Sequence, residues 1–341
     1  MKLLVTGGAG FIGSNFTRLA LEARPGWEIT VLDKLTYAGR LENLAHLDNN
    51  PRFRFVHGDI CNELSVSEAI KGCDAVVNFA AETHVDRSID DSASFVRTDI
   101  EGVRVLLEAF RRENRHLFLQ ISTDEVYGSV ERGTSLETDR LAPRSPYAAS
   151  KAGGELLAMS YWTTYGIPVT VTRASNNYGP FQYPEKLIPL FITNAMDGEP
   201  LPLYGDGLNR RDWLYVDDHC RALIMILEKS EPGKIYNLGA GQEYTNKDIT
   251  SSILKMTGAA GDLVRYIEDR PGHDRRYALN VNLIRNEIGW KAETGFEEGL
   301  RKTADWYMEN RVWWQDIKSG EFREYYRSMY ADRLKKSRES V

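Results

Sequence analysis

The sequence predicts an α/β fold in which a doubly wound parallel sheet is followed by a smaller C-terminal α/β region. Three observations carry this. Short β-rich runs alternate with longer helical segments through the first half; the turn GGAGFIG stands between the first run and the first helix; and the alternation fades after about Ser175 into the glycine- and proline-rich NNYGPFQYPEKLIP.

Taken in order, KLLVT, EITVLD, FRFVHGD, DAVVNFA, LFLQIS and PVTVTR read as six strands. Their apolar residues fall at consecutive positions, which suits strands covered on both faces and joined by right-handed crossovers. Long helical stretches, roughly Ser92 to Asn114 and Pro146 to Tyr165, join the fourth strand to the fifth and the fifth to the sixth. A first domain over 1–175 and a second over 176–330 follow. DWLYVDDHCRALIMILEK and then KIYNLGAG supply one more helix and strand near 212–240 that could return to the first domain. The stretch KSGEFREYYRSMYADRLKKSRESV reads as a surface helix with a loose end, and 331–341 as a charged tail.

A chain of 341 residues, 42% hydrophobic and 27% charged, can bury a sizeable core. No run is long and apolar enough to span a membrane, and MKLLVTGGAGF has the pattern of neither a signal nor a transit peptide. The formal charge of −6, with scattered lysines and arginines, offers no basic face for nucleic acid. Cys61, Cys73 and Cys220 lie far apart and suit a reducing cytoplasm, and the histidines form no ligand pair, so no metal is expected.

Gly7, Gly10 and Gly13 stand directly after the first strand, with Phe11 and Ile12 opening the helix. Such a turn can be merely structural. With Asp33 closing the second strand it reads instead as a dinucleotide site: helix amides hold a pyrophosphate that only bare backbone can approach, and the carboxylate takes both ribose hydroxyls and repels a 2′-phosphate. That selects NAD over NADP. Asp59 and Ile60 after the third strand, and Phe79, Ala80 and Ala81 after the fourth, fall where the adenine and the phosphates pass.

In SPYAASKAGGE, Ser145 is a helix N-cap and Pro146 the first helical residue, so Tyr147 and Lys151 share a face one turn apart. An ammonium beside a phenol favours the phenolate; a tyrosine near pKa 10 must fall by roughly three units, about 4 kcal/mol, to act as a base near neutrality, which a lysine together with the positive nicotinamide ring could supply in a dry site. The preceding strand ends in Ser122 and Thr123, so Thr123, Tyr147 and Lys151 make an alcohol-oxidising triad. Two acids, Asp124 and Glu125, follow the hydroxyl at once. A capping acid beside a solvated one is the bland account of such a pair.

These motifs do not stand alone. TGGAGFIGSN, LDKLTYAG, GDI, NFAAETHVDRSI, STDEVYG, SPYAASKA, NNYGPFQYPEKLIP, RDWLYVDDHCRA and RPGHDRRYALN together resemble the extended short-chain dehydrogenase/reductases that act on nucleotide sugars, most closely their 4,6-dehydratases for dTDP-glucose. The narrow signal is the acid pair: epimerases of this family lack both acids, and the UDP-glucuronate decarboxylases resemble STSEVYG. The resemblance implies a Rossmann-type fold, NAD as cofactor, with Lys34, Thr36 and Thr98 added to its contacts, and a lyase reaction. Tyr147 would serve oxidation at sugar C4, Glu125 would take the C5 proton and Asp124 would protonate the departing C6 hydroxyl.

The substrate contacts it implies are His84, Ser88, Asn176, Lys186 with Leu187, Pro202, Leu203, Tyr204, Arg211, Asn246, Arg270, His273, Asp274 and Tyr277. Arg211 and Arg270 suit a diphosphate clamp, although either could be a surface arginine. It also implies a homodimer through the two long helices, whose Val103, Leu106, Leu107, Leu156 and Met159 core packing explains equally well. The competing readings are a 4,6-dehydratase or C4 epimerase for another nucleotide sugar and, in a different class, a NAD-sensing regulator without catalysis.

Overall fold

The computed structural model describes residues 1–112, 115–270 and 272–339. The chain opens with β1 (Lys2–Thr6), α1 (Phe11–Ala23) and β2 (Glu28–Asp33), and continues through β3 (Phe53–His57), α2 (Glu63–Ala69) and β4 (Ala75–Asn78). Then come α3 (Val85–Asp90), α4 (Ser92–Val96), α5 (Val103–Arg111), β5 (Leu117–Thr123), α6 (Pro146–Tyr165) and β6 (Val169–Ala174). β7 (Asn176–Tyr178), α7 (Leu187–Asp197), β8 (Leu201–Tyr204), β9 (Arg210–Tyr215), α8 (Val216–Lys229) and β10 (Ile235–Leu238) follow. The C-terminal part holds β11 (Glu243–Thr245), α9 (Asn246–Thr257), β12 (Val264–Ile267), α10 (Asn282–Glu287), α11 (Phe296–Glu309), α12 (Arg311–Ser319) and α13 (Glu321–Glu339).

Seven strands form one parallel sheet in the order β10-β6-β5-β4-β1-β2-β3, the Rossmann-type arrangement. Alternate residues of a strand face opposite sides, and both sides are covered. Leu3 and Val5 of β1 join the core beneath α1 and α8, whereas Leu4 joins the core beneath α2, α5 and α6. All seven residues of β5 are buried, so Thr123 at its end is held on rigid backbone. Each such aliphatic side chain contributes about 1.5–3 kcal/mol through burial. β10 pairs with β6 and α8 packs on α1, so 216–238 adds a helix and a strand to the large sheet after β7, β8 and β9 have left it.

One expected helix is interrupted. The stretch from Ser92 is not a uniform helix: a π turn over Arg97–Gly102 separates α4 from α5, and residues 113 and 114 of the expected helix lie outside the described residues. Gly153 and Gly154 of α6 explain how this widened turn is accommodated. A Cβ on Gly153 would stand 2.7 Å from the Ile100 side chain, and one on Gly154 would meet the Asp99 carbonyl.

A second core gathers Tyr178, Leu190, Phe191, Leu201, Leu203, Leu300, Tyr307 and Trp314, around the small sheets β11-β9-β7 and β12-β8. α13 belongs to it. Phe322 and Tyr330 are buried there and Leu334 packs on it, so the expected loose tail continues as ordered helix to Glu339; 340 and 341 lie outside the described residues. Val103, Leu106 and Leu107, expected at an interface, are fully buried in the chain's own core, and Met159 packs against that core. Leu156 is 59% exposed.

Candidate active site

The carboxyl ends of β1, β2, β4 and β5 open onto one cleft, where parallel sheets of this kind hold their ligands. Gly7 has φ of +68°, and a Cβ there would stand 2.6 Å from the Ala80 amide nitrogen. Only glycine lets β1 turn so close to β4 and leave the amides at the start of α1 facing the cleft. Asp33 closes β2 with its oxygens accepting from the Ala9 amide at 2.9 Å and the Leu35 amide at 2.8 Å. Burial raises its carboxyl against those two bonds. The cleft is lined by every expected cofactor residue: Gly7, Gly10, Phe11, Ile12, Gly13, Asp33, Lys34, Thr36, Asp59, Ile60, Phe79, Ala80, Ala81, Thr98, Tyr147 and Lys151. A bare glycine turn, a carboxylate at the ribose position and an apolar floor fit a dinucleotide.

Ser145 caps α6, its hydroxyl accepting from the Ala148 amide at 3.1 Å, and so sets the turn that carries Tyr147 and Lys151. The Lys151 ammonium donates to the Ile121 carbonyl at 2.8 Å, fastening α6 to β5. Burial lowers this ammonium, while the carboxylates of Asp99 and Glu155 hold it up. The expected lowering of the phenol rests on Lys151 together with the positive nicotinamide ring, and the protein's own groups act in the opposite sense. Burial, then the charges of Glu125 and Asp99, keep Tyr147 well above its ordinary value, and its contact with Thr123 pulls the other way. Asp99, on the π turn, accepts from the Ser150 hydroxyl at 2.5 Å and the Glu82 amide at 3.2 Å. Burial pushes it up to about 6 against the pull of Lys151. Nothing in the sequence distinguishes this carboxylate, because the π turn that aims it is a tertiary feature.

The two acids live in different surroundings. Asp124 is buried; one oxygen accepts from Thr123 Oγ1 at 3.3 Å and the other has no hydrogen-bond partner. Burial first and the charge of Glu125 second hold its carboxyl well above the carboxylate range, with Arg211 opposing. Glu125 is raised by burial too, but Arg270, Arg211 and Lys186 all pull it back, with Asp274 opposing them. Burial thus opposes ionisation of both carboxyls, while Arg270 and Lys186 join Arg211 in favouring the charged form of Glu125, an asymmetry that an acid and a base at one site would use.

Glu125 opens onto a second cavity, joined to the first by Lys186, which lines both. Of the expected substrate residues, His84, Asn176, Lys186, Leu187, Pro202, Tyr204, Arg211, Asn246, Arg270 and His273 line it with Glu125. Thr123 and Asp124 are buried and are not among its lining residues. Four expected contacts are set back. Ser88 is fully buried and donates to the Val85 carbonyl at 2.6 Å. Leu203 alternates with Pro202 and Tyr204 along β8, so it faces the second core. Tyr277 donates to Asp274 at 2.6 Å and lies 4.3 Å beneath the Arg211 guanidinium, which itself donates to the Asp274 carbonyl at 2.8 Å; both residues orient Arg211 from behind. Pro271, within the expected loop Arg270 to Asp274, lies outside the described residues.

The unpaired polar atoms of this cavity are a ligand's due: Asn176 Oδ1, Arg270 Nε and Trp213 Nε1 are buried without a partner. Trp213 was not expected here, yet it shares a face of β9 with Arg211, two residues away. His84 holds φ of +82°, a strained conformation of the kind that functional sites retain. Burial, then Lys186 and Arg270, keep its ring well below its usual value, and burial with Arg270 pushes His273 down to about 4, so neither adds charge beside the arginines near neutral pH. Among the described residues no three His, Cys, Asp or Glu side chains gather as a metal would need.

The chain is similar to known proteins along nearly its whole length. The family described as GDP-mannose 4,6 dehydratase matches residues 4–303. A dTDP-glucose 4,6-dehydratase of Streptomyces niveus is 53% identical over 323 residues, 94% of this chain and 96% of that protein. The crystal structure of DesIV, a dTDP-glucose 4,6-dehydratase from Streptomyces venezuelae with NAD and dTDP bound, superposes with a TM-score of 0.92 at 49% identity, over 93% of this chain and 100% of that one. A UDP-glucose 4-epimerase of Thermus thermophilus with NAD shares the fold at a TM-score of 0.84 and 32% identity, over 91% of this chain and 100% of that one.

Proposed function

This chain belongs to the dTDP-glucose 4,6-dehydratase family of nucleotide-sugar enzymes, and on that premise we propose that it is an NAD-dependent hydro-lyase converting dTDP-glucose to dTDP-4-keto-6-deoxyglucose and water. The observation that carries the reading is the acid pair, adjacent in sequence, with Asp124 buried and keeping one oxygen unpartnered while Glu125 lines the cavity together with Lys186, Arg211 and Arg270.

The cleft residues from Gly7 to Lys151 would hold NAD, which takes hydrogen from sugar C4 and returns it at C6. Every other step falls to side chains. Thr123 positions the C4 hydroxyl and Tyr147 takes its proton. The resulting ketone acidifies the C5 hydrogen, which Glu125 removes. Asp124 then gives its proton to the C6 hydroxyl, which leaves as water, and Glu125 returns a proton to C5. Arg211 and Arg270, aimed into the second cavity by Asp274 and Asp86, hold the diphosphate. Residues 1–175 with the return over 212–240 serve the cofactor, and 176–330 serve the nucleotide sugar.

A homodimer fits the apolar side chains left exposed along α4 and α6, Val96 at 52% and Leu156 at 59%, and a cytoplasmic site fits three free thiols. The test is a substrate panel. Incubated separately with dTDP-glucose, UDP-glucose and GDP-mannose, the enzyme should give the alkaline ultraviolet absorbance of a 4-keto-6-deoxy sugar fastest with dTDP-glucose. A faster reaction with another nucleotide, or C4 epimerisation without water loss, would replace the reading, and no reaction with any of them would favour a sensor.

A further inference from the structure

The nucleotide cavity has a wall built from outside residues 4–303, the span that the family match covers. α13 packs along α12 and β12 and brings Tyr330 onto the lining beside Pro202 and Tyr204. The rings of Tyr204 and Tyr330 lie 6.2 Å apart at 48°. Three residues on, one turn along the same face, Arg333 donates to the Tyr204 hydroxyl at 2.8 Å. A second anchor lies earlier in the helix. The Tyr325 hydroxyl stands 3.1 Å from His84 Nδ1, and its ring closes a sandwich around the Arg87 guanidinium, 4.1 Å from Tyr325 and 3.7 Å from Tyr37. Arg87 donates in turn to Glu185 at 3.0 Å, and His84 and Glu185 both line the cavity. A helix docked for stability alone would need only its apolar residues; this one also directs two phenols and a guanidinium at polar groups of the site.

We propose that α13 is a working part of the nucleotide-sugar site, with Tyr330 completing an aromatic wall for the base and Arg333 positioning the Tyr204 ring within that wall. The proposal rests on the substrate reading above. A pyrimidine is flat and carries polar edges, so it gains from a ring held in a fixed orientation, and Arg333 fixes it through the one polar atom that the Tyr204 side chain has. The remote base contributes equally to ground-state and transition-state binding. Loss of the wall should therefore raise KM and spare kcat.

The experiment uses the full chain loaded with NAD and reads dTDP affinity by calorimetry beside KM and kcat for dTDP-glucose. Arg333→Met removes the hydrogen bond and should weaken dTDP binding about three- to tenfold, with KM rising in step while kcat stays within about twofold. In a Tyr204→Phe background, which lacks the accepting hydroxyl, the same substitution should change little. Tyr330→Leu keeps an apolar side chain in the core and should weaken dTDP binding by a similar factor. Unchanged affinity in Arg333→Met, or an undiminished effect of it in the Tyr204→Phe background, would overturn the positioning role. Unchanged affinity in Tyr330→Leu would overturn the wall. Failure of the dehydratase reading would show separately, as absence of a 4-keto product from wild-type chain with dTDP-glucose, because dTDP binding needs no turnover.

Discussion

Replacing Asp124 by asparagine isolates the acid half of the pair. The change keeps the side chain's volume and the atom that meets Thr123 at 3.3 Å, and the other oxygen has no hydrogen bond to lose. What disappears is a proton at the C6 side of the sugar. One acid–base group contributes about 10²–10⁴ in rate; at about 1.36 kcal/mol per decade this is roughly 2.7–5.5 kcal/mol of barrier. Stability should move the opposite way. The folded carboxyl is raised well above its value of about 3.9 in an unfolded chain, so the proton is bound more tightly in the native state. As pH climbs from about 4 through the folded value, the wild type loses stability that the uncharged amide of Asp124→Asn keeps. The variant should therefore turn over far more slowly yet melt at a higher temperature at pH 8, with the gap closing toward about pH 4. Exchange of the C5 hydrogen in deuterium oxide, followed by mass spectrometry, should persist in Asp124→Asn and vanish in Glu125→Gln. Near-normal turnover by Asp124→Asn, or loss of C5 exchange there and its survival in Glu125→Gln, would refute the assignment of acid and base.

Tyr147→Phe should lower kcat by about 10²–10⁴ while leaving NAD binding and unfolding unchanged, and near-normal turnover would move the C4 base elsewhere. Asp33→Ala removes the acceptor of two amides and the charge that repels a 2′-phosphate; NAD affinity should fall and the NAD over NADP preference should relax, whereas wild-type protein that prefers NADP would contradict the site. Glu155→Ala leaves the buried Arg173 guanidinium without its forked partner, whose closest contact is 2.6 Å, and should cost about 3–5 kcal/mol in urea unfolding. A loss below about 1 kcal/mol would mean that Tyr127 and the Glu137 carbonyl, which also receive that guanidinium, suffice.

The legible parts of the fold were those set by local pattern. Strands buried on both faces show as unbroken apolar runs, and all six of the first runs form strands of the parallel sheet. The glycine turn and Asp33 were legible for a similar reason, since a positive φ and a missing Cβ restrict residue type at one position. The i, i+4 spacing of Tyr147 and Lys151 follows from helix geometry alone. What stayed hidden depends on partners distant in sequence. The π turn over Arg97–Gly102 packs closely on glycines of α6 that lie far along the chain, so the residues from Ser92 still read as one helix. The family resemblance implies Pro202, Leu203 and Tyr204 as one contact block, although a strand gives the middle residue the opposite face. The stretch that forms α13 reads as a surface helix because its sequence is densely charged, whereas Phe322, Tyr326 and Tyr330 recur every fourth residue and mark the stripe that packs on the second core.

The acid pair sets the limit of such reading. Asp124 and Glu125 are chemically near-equivalent neighbours, and no property of STDEVYG says which one keeps its proton; the order came only from the family resemblance. The structure offers a basis in Lys186 and Arg270, sixty or more residues downstream, whose charges favour the Glu125 carboxylate, whereas Arg211 favours the charged form of both acids and burial opposes it in both. A carboxylate's role is thus fixed less by its own position than by where the chain returns its cations. Neutralising Arg270 alone should accordingly shift the ionisation of Glu125 upward and move the alkaline-activated limb of the C5 exchange rate to higher pH, a change that a role for Arg270 in diphosphate binding alone would not produce.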